Sequence, residues 1–122
     1  MLDTGALIAF ERGDRQVAAV VEAVRRRKDR IVTSSGCVAQ AWRDGSRQAL
    51  LARLLAGTTE HLLQPADSRA VGELCAVSRT SDVVDAHLAL VVHDQDSVVT
   101  SDPDDLRVLL RARKSPARTI RC

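Results

Sequence analysis

The chain has 122 residues, 45% of them hydrophobic and 28% charged, with a net charge of +2; this is the size of one ordinary domain, which can bury a core without disulfides or a structural metal. Phe10 and Trp42 are the only aromatics, which excludes a platform of stacking rings as the main device for holding single-stranded nucleic acid and leaves Ala, Val and Leu to form the core. No apolar run reaches membrane-spanning length, and the start lacks the basic-then-apolar pattern of a signal peptide, so a cytoplasmic protein without a membrane partner is expected.

In chain order, Leu2-Asp3 is the stub of a strand, and helical residues follow almost at once. A strand leading into such an Asp ordinarily has four or five residues; either the first strand is cut short at the start of the sequence, or this edge of the sheet is short. Val17, Val20, Val21 and Val24 recur at helical spacing behind Asp14, a cap, and the basic run Arg25–Lys28 suits the carboxyl end of that helix. Arg30–Thr33 reads as a short strand. Cys37–Arg43 and Arg47–Leu55 read as two helices broken around Gly45, and Thr59–Leu63 as a weak strand ended by Pro65. Asp67 is expected to cap a helix to about Val77, and Asp82 another carrying Val84, Leu88, Val91 and Val92 on one face. Ser97–Thr100 is a buried-type strand, Asp102-Pro103 opens a helix to about Arg113, and Ala117–Cys122 is a last strand. Alternating short strands and helices predict a single three-layer α/β/α domain, residues 1–122, with a mainly parallel sheet and a first strand nearly absent.

Charge is unevenly spread. Seven acids and no Lys or Arg lie between Asp82 and Leu106, whereas Arg107, Arg111, Arg113, Lys114, Arg118 and Arg121 follow with no acid. The C-terminal bases are either a merely solvated surface or an RNA track, with Arg107, Arg111, Arg113 and Lys114 as its candidates. Cys37, Cys75 and Cys122 are odd in number and lack C-x-x-C spacing, which suggests neither a zinc site nor a disulfide framework. His61, His87 and His93 show no ligand pairing. Trp42, Leu50, Leu51, Leu54 and Leu55 are suited either to core packing or to contact with a partner.

Three sequence-distant places carry the chemistry. Asp3 follows the strand stub, Asp82 and Asp85 lie three apart near a helix start, and Asp102 follows the strand Ser97–Thr100. In open α/β sheets, ligands bind beyond the carboxyl ends of the strands, so these acids can meet in one cleft. Two carboxylates roughly 5 Å apart repel by about 3 kcal/mol at an effective dielectric near 20. A bound Mg²⁺ or Mn²⁺ offsets that repulsion, because hard cations prefer carboxylate and water ligands, and the chemistry such a site supports is phosphodiester hydrolysis. Taken singly, each acid also has a structural reading: Asp82 and Asp102 as N-caps, Asp85, Asp104 and Asp105 as first-turn acids, Asp105 also as a support of the site.

Four blocks in order and spacing, Leu2-Asp3-Thr4-Gly5-Ala6-Leu7-Ile8-Ala9, Val38-Ala39-Gln40-Ala41-Trp42-Arg43-Asp44-Gly45, Asp82-Val83-Val84-Asp85-Ala86 and Val98-Val99-Thr100-Ser101-Asp102-Pro103-Asp104-Asp105-Leu106, resemble those of PIN-domain ribonucleases, and most nearly VapC-like toxins of toxin–antitoxin pairs. The resemblance spans essentially the whole chain. It implies a Mg²⁺- or Mn²⁺-dependent endoribonuclease, a homodimer, an RNA substrate and a cognate VapB-like antitoxin. It also implies that Asp3, Asp85 and Asp102 are the catalytic, metal-binding acids, with Asp82 nearby and Thr4 and Ser101 as polar supports. Gln40 departs from the pattern, standing where the family commonly has Glu; its carboxamide oxygen still ligates a hard cation, with one charge fewer. The rival readings are a catalytically silent module of the same fold that binds RNA or an antitoxin, and a phosphatase of the haloacid dehalogenase type. The phosphatase needs a second Asp where this chain has Gly5. A receiver-like domain lacks its suitably placed Lys.

Overall fold

The strands Ile31–Ser34 and Ser97–Thr100 form where the sequence carries apolar or hydroxyl side chains on both faces, and helices form where apolar residues recur every third or fourth position. The computed structural model describes residues 1–122, in the order α1 (Thr4–Glu11), α2 (Arg15–Arg26), β1 (Ile31–Ser34), α3 (Ser35–Ala41), α4 (Ala49–Ala56), β2 (Thr58–His61), α5 (Pro65–Ser78), α6 (Val83–Val91), β3 (Ser97–Thr100), α7 (Pro103–Ala112) and β4 (Arg118–Arg121). The α/β class and the parallel sheet expected from the sequence are what the chain forms.

β1 pairs in parallel with β2, and β3 in parallel with β4. Between the two pairs lies the three-residue stub. Leu2 N–H donates to Val32 O at 2.8 Å, Asp3 N–H to Val99 O at 3.1 Å, and Val99 N–H to Met1 O at 2.9 Å, with Leu2 bridged in parallel to Val99. The strand order is therefore β2–β1–stub–β3–β4. The short first strand is not an edge of the sheet, as one sequence reading had it, but its centre. Edges can be short without consequence, whereas this stub alone joins the two halves.

Helix ends follow local chemistry. Asp14 Oδ1 accepts the N–H of Val17 at 2.9 Å, and Arg25 and Arg26 occupy the last turn of α2. α5 starts earlier than expected: Pro65 opens it, and Asp67 sits inside the first turn, accepting the N–H of Gln64 at 3.3 Å, rather than serving as the cap. α3 and α4 are separated around Gly45 as the sequence predicts. The Glu11 carboxylate at the end of α1 accepts the N–H of Leu51, supplying α4 with a partner for one of its free amides.

Leu7, Val17, Leu51, Leu54, Leu88, Val98 and Leu106 are fully buried and belong to one continuous core. α2, α3 and α6 pack on β1, α4 on β2, α1 on β3 and α7 on β4. Of the residues open to either a core or a partner role, Leu51 and Leu54 are core, while Trp42 and Leu50 keep 38% and 40% of their surface in solvent. Cys37 and Cys75 are buried thiols, Cys122 is half-buried, and none is bridged. No helix is long and apolar enough to cross a membrane.

Candidate functional site

Three helix starts meet at the carboxyl ends of the stub and β3, and each is capped by one of the acids singled out in the sequence. Asp3 caps α1, its Oδ1 accepting the N–H of Ala6 at 2.6 Å. Asp82 caps α6, its Oδ1 accepting from Asp85 N–H at 2.9 Å. Asp102 caps α7, its Oδ1 accepting from Asp105 N–H at 3.4 Å. The structural reading of Asp82 and Asp102 is thus correct as far as it goes. In each case the Oδ1 oxygen serves the helix start.

Asp3 is buried, only 6% exposed. Burial pushes its carboxyl above the ordinary range, against hydrogen bonds from the Thr100 side chain and from the N–H groups of Ala6, Ser101 and Gly5. The Thr100 hydroxyl also accepts the N–H of Asp102 at 3.0 Å, so it links two of the acids. This residue escaped the sequence reading, which named Thr4 and Ser101 as supports. The signal available was its position at the end of a buried strand, next to an acid. Gly5 lets α1 approach the β3–α7 turn: a Cβ there would overlap the Ser101 side chain.

Asp85 is where the acids register one another. Its carboxyl is pushed up to about 6, by burial first and then by the negative charges of Asp82, Asp3, Asp105 and Asp102, in that order. Five carboxylates from the stub, α6 and α7 therefore share one electrostatic site, although they are spread over 103 positions of sequence, from Asp3 to Asp105. Asp105, expected as a support, lines a groove of about 230 Å³ with Asp82, Asp85, Ser78, Arg79 and Thr80. Arg79 holds the left-handed backbone conformation (φ 55°) that ends α5.

Gln40 is placed beside this cluster by the contact of α1 with α3. Its Oε1 accepts the Thr4 hydroxyl at 2.6 Å, so the residue next to Asp3 fixes the carboxamide. Beneath lies Cys37, another residue that sequence spacing did not single out for the site. Burial and the charges of Asp3 and Asp85 push its thiol up, against hydrogen bonds with Ser34 and Thr4.

The donors fit a hard divalent cation in kind: several carboxylates, one carboxamide oxygen, and an excess of like charge that adds to burial in raising the Asp85 carboxyl. No three His, Cys, Asp or Glu side chains are gathered at metal-ligand spacing. The carboxylates of Asp82 and Asp102 are turned to their own helix starts, and the mutual repulsion of the acids favours their separation.

The four candidate RNA-binding bases divide in two. Arg107 is engaged by Asp104 at 2.8 Å and by the Thr119 hydroxyl at 3.1 Å. Arg113 donates to Ala89 O at 2.8 Å and Val92 O at 2.6 Å, closing the carboxyl end of α6. Arg111 and Lys114 are exposed, and neither makes a side-chain hydrogen bond or ion pair.

Fold and site together define a small parallel α/β domain with a carboxylate cluster at the carboxyl ends of its central strands. No family model, curated protein or solved structure matches the chain.

Proposed function

We propose that the chain is a Mg²⁺- or Mn²⁺-dependent endoribonuclease of the PIN type, acting as the toxin of a VapBC-like toxin–antitoxin pair. The observation that carries this reading is the convergence of Asp3, Asp82, Asp85, Asp102 and Asp105 on one site, with Asp85 raised to about 6 by burial and then by the charges of the other four. The ions it would bind lower the pKa of a water and neutralise charge on a phosphodiester. Asp3, Asp85 and Asp102 hold the cation, with Asp82 and Gln40 beside them. Thr100 and Thr4 keep Asp3 and Gln40 oriented through their hydroxyls. The three converging helix starts add positive dipole ends that favour an anionic substrate. Arg111 and Lys114 are the bases free to meet RNA phosphates. The VapB-like antitoxin and the homodimer belong to the same proposal on the sequence resemblance alone, and a cytoplasmic location on the composition and the first residues of the sequence.

A second reading has its own support. Gln40 removes one charge from the site, and its oxygen is already engaged by Thr4. On this reading the chain is a catalytically silent module that binds RNA or an antitoxin. One experiment separates the two: incubation of the purified chain with structured RNAs in Mn²⁺, Mg²⁺ or EDTA, with Asp85→Asn as the control. Metal-dependent cleavage that disappears in the variant is the expected result. A folded chain that binds RNA and cleaves none in any metal overturns the nuclease.

A further inference from the structure

The carboxylates lie between two grooves that share no residue, and each groove carries an arginine. The groove of about 230 Å³ that holds Asp82, Asp85 and Asp105 is also lined by Arg79. A broader groove of about 540 Å³ is lined by Gly5 and Ser101, whose N–H groups bond Asp3, and by Arg12 at the end of α1. Asp102 joins the two. It follows Ser101 of one groove, and its Oδ1 accepts the N–H of Asp105 of the other at 3.4 Å. Both arginines are exposed, and neither makes an ion pair.

Their positions are fixed by the helix ends. Asp3 caps one end of α1 and Arg12 the other, so the 8 residues between them set the spacing. At 1.5 Å per residue that is a rise of about 12 Å, which a few nucleotides of extended strand cover. Arg79 closes α5 in the left-handed conformation, just ahead of the Asp82 cap.

Five carboxylates repel a polyanion, and one divalent cation offsets only part of their charge. Cations fixed on both sides of the acids are what draws a phosphate chain across them. Asp14 also lines the broader groove, but its Oδ1 is engaged by the N–H of Val17 and it stands at the positive end of α2 beside Arg15. No aromatic ring lines either groove, so contact there is to phosphate and sugar rather than by base stacking. Arg111 and Lys114 line neither groove.

We propose that Arg12 and Arg79 are phosphate-binding residues on either side of the carboxylates, so that one RNA strand crosses the site with its backbone held both ahead of and beyond the bond to be cut. The proposal deepens the nuclease reading and rests on it for the scissile bond between the two contacts. Because the contacts are to the backbone, they hold different sequences alike.

The test is binding of a short fluorescein-labelled single-stranded RNA, followed by anisotropy in EDTA over a range of salt. Arg12→Gln removes one charge. Arg79→Gly removes the other and suits the left-handed backbone there, so the end of α5 is kept. Each variant should weaken binding about fivefold and flatten the log–log salt slope by about 0.7, the value for one phosphate contact to a single strand. Lys at either position should restore most of the slope. In Mn²⁺ the same variants should raise KM for cleavage and leave kcat within about twofold. Arg69→Gln, exposed on α5 and outside both grooves, should change neither quantity. A double Arg12→Gln, Arg79→Gly variant that keeps the wild-type affinity and salt slope overturns the path, even where the wild type cleaves RNA. A loss at only one of the two arginines overturns the crossing, and so does a chain that binds no RNA. Binding lost in the double variant, with no cleavage by the wild type in any metal, leaves the two contacts standing and removes the nuclease.

Discussion

Asp85 and His87 lie two residues apart on α6, and both are displaced toward their neutral forms, by burial first and then by different surrounding charges. Asp85 is raised to about 6 by burial and then by four carboxylates from three other places in the chain and from its own cap. His87 is 2% exposed with no partner for Nε2; burial lowers its pKa, and the charge of Asp67 opposes the shift. Relief for Asp85 comes from a cation, because like charges add to the effect of its burial. Relief for His87 comes only from staying neutral inside the core. Burial leads both shifts; the four like charges that add to it at Asp85 point to a ligand, whereas His87, with Asp67 opposing its shift and His61 adding to it, reads as packing.

The strongest way to break this contrast is Asp85→Asn. On the nuclease reading, metal-dependent RNA cleavage falls at least about 100-fold, because a ligand charge is removed at constant volume. Stability moves the other way. The folded pKa of about 6 exceeds the ordinary 3.8, so the contribution of Asp85 is fully present below 3.8 and lost as pH rises through 6. At pH 8 the ionised group destabilises the fold by about 1–2 kcal/mol after solvent screening, and Asn removes that cost. Thermal melting at pH 8 should show the variant several degrees more stable. A variant that melts lower would mean that Asp85 is chiefly a helix-start residue.

Divalent metal should act on the same charge. At about 100 times its dissociation constant, Mn²⁺ should stabilise the chain by about 2.7 kcal/mol, and calorimetry should find the gain absent in Asp85→Asn. Gln40→Glu restores a charge beside Thr4 and should tighten Mn²⁺ by up to about tenfold. No gain would place residue 40 outside the ligand set.

Gly5→Ala sharpens the geometric side. The new methyl overlaps Ser101, so α1 must move away from the β3–α7 turn. A loss of about 1–3 kcal/mol in denaturant unfolding is expected, together with weaker Mn²⁺ binding, since Asp3 and Asp102 separate. Unchanged metal binding would show that these two acids need not be close.

The smallest effect is expected at His87. Its folded pKa lies below the ordinary 6.5, so its contribution is present above 6.5 and lost as pH falls below that value toward the folded one. Asp85 trends oppositely over the pH units below 7. The chain should therefore lose only a few degrees of Tm between pH 7 and 5.5, and Asp85→Asn should lose more. His87→Leu should flatten the curve; an undiminished slope would shift the cause to another group.

Much of the local structure was legible in the sequence. Asp14, Asp82 and Asp102 stand before apolar periodic stretches, and all three cap helices through the hydrogen bonds those positions imply. Ser97–Thr100 was recognisable as a buried strand because both its faces are apolar or hydroxyl-bearing. Where local chemistry was ambiguous, the reading slipped: Gln64 and Pro65 start α5, not Asp67. The individual acids were identifiable, but not the Thr100 hydroxyl that connects two of them, nor Cys37 beneath. Arg113 read as a free surface base and is engaged by the end of α6.

The sequence by itself determined most of the helices, the caps Asp14, Asp82 and Asp102, the α/β class and which acids were available, because periodicity and capping act over three or four residues. Only the tertiary structure decided that Leu2-Asp3 lies at the centre of the sheet, that four carboxylates press on Asp85, and that an open cleft lies at the far end of the strands. Those results depend on strand order and on which charges meet across some hundred residues of chain, and Coulomb repulsion and sheet pairing depend on distance in space rather than position in sequence.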